Sequence, residues 1–227
     1  MSEIFQSSES NEENWMSVSD LMAGLMVVFL FIAIAYITGV GQEQAKLEQS
    51  ICRELSEAME DISWREQIEI CDDEIVVKFK DPDALFDLAR ASLKPNFQNM
   101  LDDFFPKYMG VIIKYEAEID EVRIEGHTDD TGFGKEKTKL ENYFYNMELS
   151  QERTRSVMEY LFNSTTAHKY ESWLISHMTA NGLSSSNPVL AKNGEALDKA
   201  KSRRVEFRVR LKTPKRLREI AEAFAWN

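Results

Sequence analysis

The chain has 227 residues and a formal net charge of −12, from 27 Lys and Arg against 39 Asp and Glu. That balance excludes nonspecific attraction to nucleic acid, and 43% apolar with 29% charged residues excludes a disordered chain. The length suits one ordinary domain plus an anchor, and the apolar residues are concentrated near the N-terminus.

Residues 1–14 read as a mobile acidic tail, with Glu3, Glu9, Glu12 and Glu13 and no Lys or Arg. Trp15 stands where an interfacial aromatic belongs. Residues 18–40, VSDLMAGLMVVFLFIAIAYITGV, carry one charge, Asp20. At about 1.5 Å per residue they match a hydrocarbon core of roughly 30 Å. A signal peptide competes for this segment, but it needs a basic n-region and a small-residue cleavage site. The expectation is therefore a transmembrane helix over 15–41. A carboxylate inside an apolar run is costly and marks a functional candidate; alternatively, Ser19 or Asp20 caps the helix from the interface. Orientation signals conflict. Basic residues mark the cytoplasmic side, and Lys46 and Arg53 follow the span while none precedes it.

Residues 42–66 read as a linker helix, because Leu47, Ile51, Leu55, Ala58, Met59 and Ile62 recur at three and four. Such a stripe could also pair with a copy of itself. QIEICDDEIVVKFK, residues 67–80, alternates like a strand or hairpin. If the chain reverses near residues 64–66, Cys52 lies about 18 Å back along the helix. Cys71 lies roughly 16–23 Å back along the returning strand. The two come level, so an intrachain disulfide is feasible, with a disulfide between two copies as the rival.

The remainder is mixed. Residues 93–108 read as a helix with Phe97, Leu101, Phe104 and Phe105 as its stripe. EVRIEG, residues 121–126, reads as a strand and residues 149–162 as a helix. Residues 173–180 are ambiguous and lean towards a strand. VEFRVRL, residues 205–211, is the clearest strand, with Val205, Phe207, Val209 and Leu211 on one face. A last helix is expected after Thr213 and Pro214, with Leu217, Ile220, Ala221 and Phe224 as its stripe. The fold class is α+β with a mixed sheet, and no internal repeat is visible.

Two sets of motifs carry chemistry. WMSVSDLMAGLMVVF, residues 15–29, resembles the membrane segment of flagellar stator B subunits, in which an Asp carries the ion; that resemblance gives Asp20 the same role. Ala23 and Gly24 would permit close helix approach. Further on come IEGHTD (124–129), NMELSQER (146–153) and SRRVEF (202–207), preceded by Phe86-Asp87 and Leu93-Lys94-Pro95. Over about residues 75–212 they resemble the OmpA-like peptidoglycan-binding domain, which implies a βαβαβ core over 67–227.

Diaminopimelate, in the peptide stem of the wall, presents an ammonium and a carboxylate on one carbon. A fixed Asp can meet the first and a planar Arg fork the second. The resemblance assigns these parts to Asp129 and Arg153, with Thr128, Asn146, the loop at Asp87, and Arg203 completing the pocket. Ser202 departs from the Asn or Asp usual at its position. The segment from Asp129 to Asn146 is longer than the usual connection and could reshape the rim. The competing reading of Asp129 and Arg153 is a structural salt bridge. His127, His168 and His177 fit no zinc spacing, and no catalytic set stands out. No metal, cofactor or enzymatic activity is expected.

Together the motifs resemble the B subunits of ion-driven motors, and the acidic tail and SVSDLMAGLMVVFLFI wording come nearest to those of the Zorya anti-phage defence systems. That resemblance implies a homodimer inside a ring of MotA-like multi-span A subunits, other defence-system proteins as partners, and an ion flux, with the proton favoured and sodium left open. It places the N-terminus in the cytoplasm, the span in the inner membrane and the C-terminal domain in the periplasm, against the weak Lys46 and Arg53 signal. A flagellar-type stator subunit and a passive peptidoglycan tether are the alternatives.

Overall fold

The computed structural model describes residues 3–71, 74–80, 85–87, 89–131, 138–191 and 196–213, with side chains from residue 18 onward, residue 40 apart. The chain divides into two compact units, residues 1–47 with 213–227 and residues 48–212. The helix expected after Pro214 lies outside the described residues.

Helix α1 runs unbroken through Glu3–Ala58. Its backbone is already helical where an acidic tail without structure was expected, and it ends at Ala58 rather than Trp64. Gly39 and Gly41 do not interrupt it, since each costs only about 1 kcal/mol against Ala within a helix. In the first unit its apolar side chains are exposed all round, with Leu21, Met26, Phe31 and Ile37 between 64% and 75% accessible. A helix apolar on every side requires lipid or protein around it.

Among the described residues the second unit holds a mixed five-stranded sheet with helices packed against it. Its strands are β1 (Ile68–Ile70), β2 (Val76–Phe79), β3 (Ile119–His127), β4 (Met178–Gly182) and β5 (Arg204–Leu211), in the order β1-β2-β5-β3-β4. Only β3 and β4 run parallel; the other pairs are antiparallel. A parallel pair needs a crossover, supplied by α3 (Lys139–Phe162), α4 (Thr165–Lys169) and α5 (Glu171–His177). Residues 173–180, expected as a strand, divide between α5 and β4.

Along β5, Val205, Phe207 and Val209 enter the core with Val122 and Ile124 of β3. Helix α2 (Pro95–Ile112) starts with Pro at its first turn and buries Phe97, Phe104 and Tyr108. Phe104 meets Phe79 at 5.0 Å and Phe207 at 4.9 Å, both edge to face. This aromatic knot is the centre of the domain. Ile51 and Leu55 at the end of α1 are fully buried, which is where the stripe expected on a linker helix goes.

Helix α3 starts ten residues earlier than expected. Thr138 accepts from the Glu141 amide at 3.2 Å, and the Glu141 carboxylate accepts from the Thr138 amide at 2.7 Å. This reciprocal cap starts the helix, so most of the described part of the long connection before Asn146 is helix rather than loop.

Candidate functional site

The site forms where β3 ends. Glycine is the only residue type that fits at Gly126, because a Cβ would come 2.7 Å from Thr154 Cγ2 and 2.8 Å from the Ser150 carbonyl oxygen of α3. That close approach sets α3 beside the His127-Thr128-Asp129 turn. The turn is fixed from the other side as well. The Thr128 amide donates to the Ser184 carbonyl at 2.9 Å, and the Leu183 amide to that of Gly126 at 2.9 Å.

Asp129 is 6% exposed. Its Oδ1 accepts from the Thr131 amide at 2.8 Å, and its Oδ2 accepts from Arg203 Nη1 at 2.9 Å. Asn146 Nδ2 donates to the Asp129 carbonyl at 3.2 Å. Thr128 Oγ1 is buried and has no hydrogen-bond partner among the described residues. Thr128, Asp129, Asn146 and Arg203 therefore meet at one place.

Arg153 stands apart from that group in its hydrogen bonds. Its Nε donates to the Arg90 carbonyl at 2.9 Å and its Nη2 to the Asp87 carbonyl at 3.4 Å. The guanidinium also lies over the Phe86 ring, 4.9 Å from the centroid. Among the described residues the competing salt bridge of Asp129 with Arg153 is not formed; Asp129 pairs with Arg203 instead. Asp87 contributes its main-chain carbonyl while its side chain faces solvent. Arg153, Phe86, His127 and Arg204 line a cleft at this end of the sheet.

Ser202 is 1% exposed and still makes a loop contact. Its hydroxyl donates to the Asp198 carbonyl at 2.7 Å and accepts from the Val189 amide at 2.9 Å. Beyond the motifs, Lys199 reaches Asp130 at 3.1 Å and Thr131 Oγ1 at 3.2 Å on the rim.

On the sheet face opposite α3, β3 and β5 place Glu125, His127 and Glu206 together, all buried. Burial and then the Arg204 guanidinium drive the His127 imidazole down to about 3, so it is neutral. Burial and then the Glu206 carboxylate push the Glu125 carboxyl up. The alternation of VRIEGH against RVEFRV carried the signal for this face; only the register between β3 and β5 brings its members together.

Cys52 of α1 and Cys71 beyond β1 form a disulfide with Cα atoms 5.8 Å apart. Asp20 lies in the first unit, exposed on α1.

No protein-family model matches the chain. It is 39% identical over 224 residues to the Zorya protein ZorB of Escherichia coli strain Crooks, covering 94% of each chain. A second Zorya protein ZorB, from Escherichia coli O139:H28, is 26% identical over 171 residues, spanning 70% of this chain and 65% of that one. Among solved structures, a MotB-like protein from Desulfovibrio vulgaris superposes with a TM-score of 0.52 at 20% identity, covering 75% of this chain and 98% of that one. The mixed α+β architecture is accordingly MotB-like, and by sequence the chain belongs to the ZorB family.

Proposed function

We propose that this chain is the B subunit of a proton-driven inner-membrane motor that serves anti-phage defence and is held to peptidoglycan. The observation that carries this reading is Asp20, the only charged side chain between Val18 and Gln42, on a helix apolar on every side. A lone carboxylate persists there only where a partner or water receives it. Two copies of α1 inside a ring of MotA-like A subunits would supply that setting.

In this reading residues 1–14 are cytoplasmic, 15–41 span the membrane, 42–66 link and 67–227 form the periplasmic wall-binding domain. Asp129 takes the diaminopimelate ammonium and Arg153 the carboxylate, with Thr128, Asn146, Asp87 and Arg203 around them. Arg203 already rests on Asp129, so an incoming ammonium shares or displaces that contact while Arg203 turns to the ligand carboxylate. No catalytic role is assigned to any residue.

Asp20→Asn tests the motor. Co-expressed with its partner subunits, the variant should insert, dimerise and bind sacculi as the parent does, yet lose phage protection. Full protection by Asp20→Asn would favour a passive tether and overturn the motor reading.

A further inference from the structure

Glu125 and His127 alternate onto one face of β3, and the register sets them opposite Glu206 and Arg204 of β5. His127 Nε2 lies 3.9 Å from Glu125 Oε2 and 3.8 Å from Glu206 Oε2. The three side chains are 1%, 8% and 1% exposed for His127, Glu125 and Glu206 respectively. Neither ring nitrogen of His127 has a hydrogen-bond partner among the described residues. We propose that Glu125, His127 and Glu206 form a binding site for one divalent transition-metal ion, zinc above all, bridging β3 and β5.

The geometry is that of a slightly expanded ligand triangle, its atoms all within 4.8 Å of one another. An ion at its centre would lie about 2.2–2.5 Å from each atom, a few tenths beyond the roughly 2.0–2.2 Å of zinc bonds to nitrogen and carboxylate oxygen. Small inward rotations close that gap. One imidazole with two carboxylates suits zinc, whereas calcium and magnesium prefer all-oxygen shells. The neutral imidazole is the form that offers a lone pair.

The surroundings support the same ion. Arg204 Nε holds Glu206 Oε1 at 2.6 Å, while Arg208 holds Glu206 Oε2 at 2.7 Å and Glu125 Oε2 at 3.1 Å. The Arg204 bond to Oε1 orients the Glu206 carboxylate from outside, whereas Arg208 shares the two oxygens that would ligate and leaves each its second lone pair. Arg208 also pairs with Glu74. His127 also borders the cleft beneath Arg153. Zinc binding here stands or falls independently of Asp20 and of wall binding.

The test uses the full-length chain in detergent, carrying no histidine tag, stripped with chelator and titrated with Zn2+ by calorimetry. The expected result is one zinc per chain, with a rise in Tm on addition and a visible absorption band when Co2+ replaces it. Glu125→Gln keeps the shape but removes a direct ligand, so it should weaken binding by more than the roughly 10–100-fold that loss of an outer-shell partner costs. His127→Ala should abolish it while keeping the parent circular dichroism spectrum; if that variant does not fold, Glu125→Gln decides. A His168→Asn, His177→Asn double variant should bind as the parent does. Absence of zinc binding by the parent, or binding lost with His168 and His177 but kept without Glu125, overturns the site.

Discussion

Asp129 holds its neighbours through both carboxylate oxygens, so its removal acts on the ligand and on the turn at once. Arg153 donates to two main-chain carbonyls and covers the Phe86 ring, so Arg153→Glu opposes the ligand carboxylate and is to be read beside a circular dichroism check of the fold. It should reduce recovery on diaminopimelate-type sacculi by at least about 10–100-fold, the worth of one charge-assisted bond of roughly 1.5–3 kcal/mol. Asp129→Ala should lose binding and some stability together. If both variants sediment with sacculi like the parent, the pocket lies elsewhere. Gly126→Ala acts on packing alone, because the added methyl meets a main-chain carbonyl that cannot retreat. It should lower stability by about 1–3 kcal/mol in a denaturant titration, with no change if α3 yields. Thr128, Asp129, Asn146 and Arg203 could each be named because each stands in a contiguous motif. The bond of Arg203 to Asp129 could not, since the two lie 74 residues apart and meet only through how β5 lies beside β3.

At the scale of elements, β5 was readable because alternation and burial coincide along it, and α2 because its aromatic residues recur at helical spacing. The first turns of α3 were missed because their large side chains are exposed, with Leu140 at 64% and Phe144 at 61%. No apolar stripe marks them, although Thr138 and Glu141 already had the spacing of a reciprocal cap. Beside the buried Ile51 and Leu55 and the disulfide, Glu54 ties the end of α1 to the domain, accepting from Lys114 at 2.7 Å and from the Tyr115 hydroxyl at 2.6 Å. The bonds from Lys114 and then Tyr115 hold the Glu54 carboxyl below its ordinary 4.5. A depressed carboxyl contributes stability that is complete above the unfolded value and lost as pH falls through the folded one. Glu54→Gln should thus be less stable than the parent near neutrality, by roughly 0.5–1 kcal/mol for a partly screened contact. The gap should close below pH 4.5 in paired melts; a gap independent of pH would exclude the charge as its source.

For the whole molecule, the disulfide is the feature that sequence reasoning approached through distance alone, leaving open whether it joined one chain or two. In the structure it closes a loop within one chain, with a sequence separation of 19. Its removal by Cys52→Ser should cost about 3 kcal/mol in the chain-entropy account. Non-reducing electrophoresis of the exported protein should give a monomer; a reducible dimer band would contradict the pairing within one chain. The anchor itself was plain from composition, because an uninterrupted apolar run needs no tertiary information. The two acids of β3 and β5 were not, since alternation identifies a face without naming what opposes it.

A covalent bridge between Cys52 and Cys71 also changes how tension travels. Pulled from the end of α1, an oxidised chain passes load directly from residue 52 to residue 71, and the residues between them lie outside the stressed path. Fully extended, they represent about 60 Å of contour length. In an optical trap the oxidised domain should therefore yield about 60 Å less extension on complete unfolding than the reduced one. The connection to the sheet then behaves as a short tether rather than a spring, and slack is removed before any load arrives.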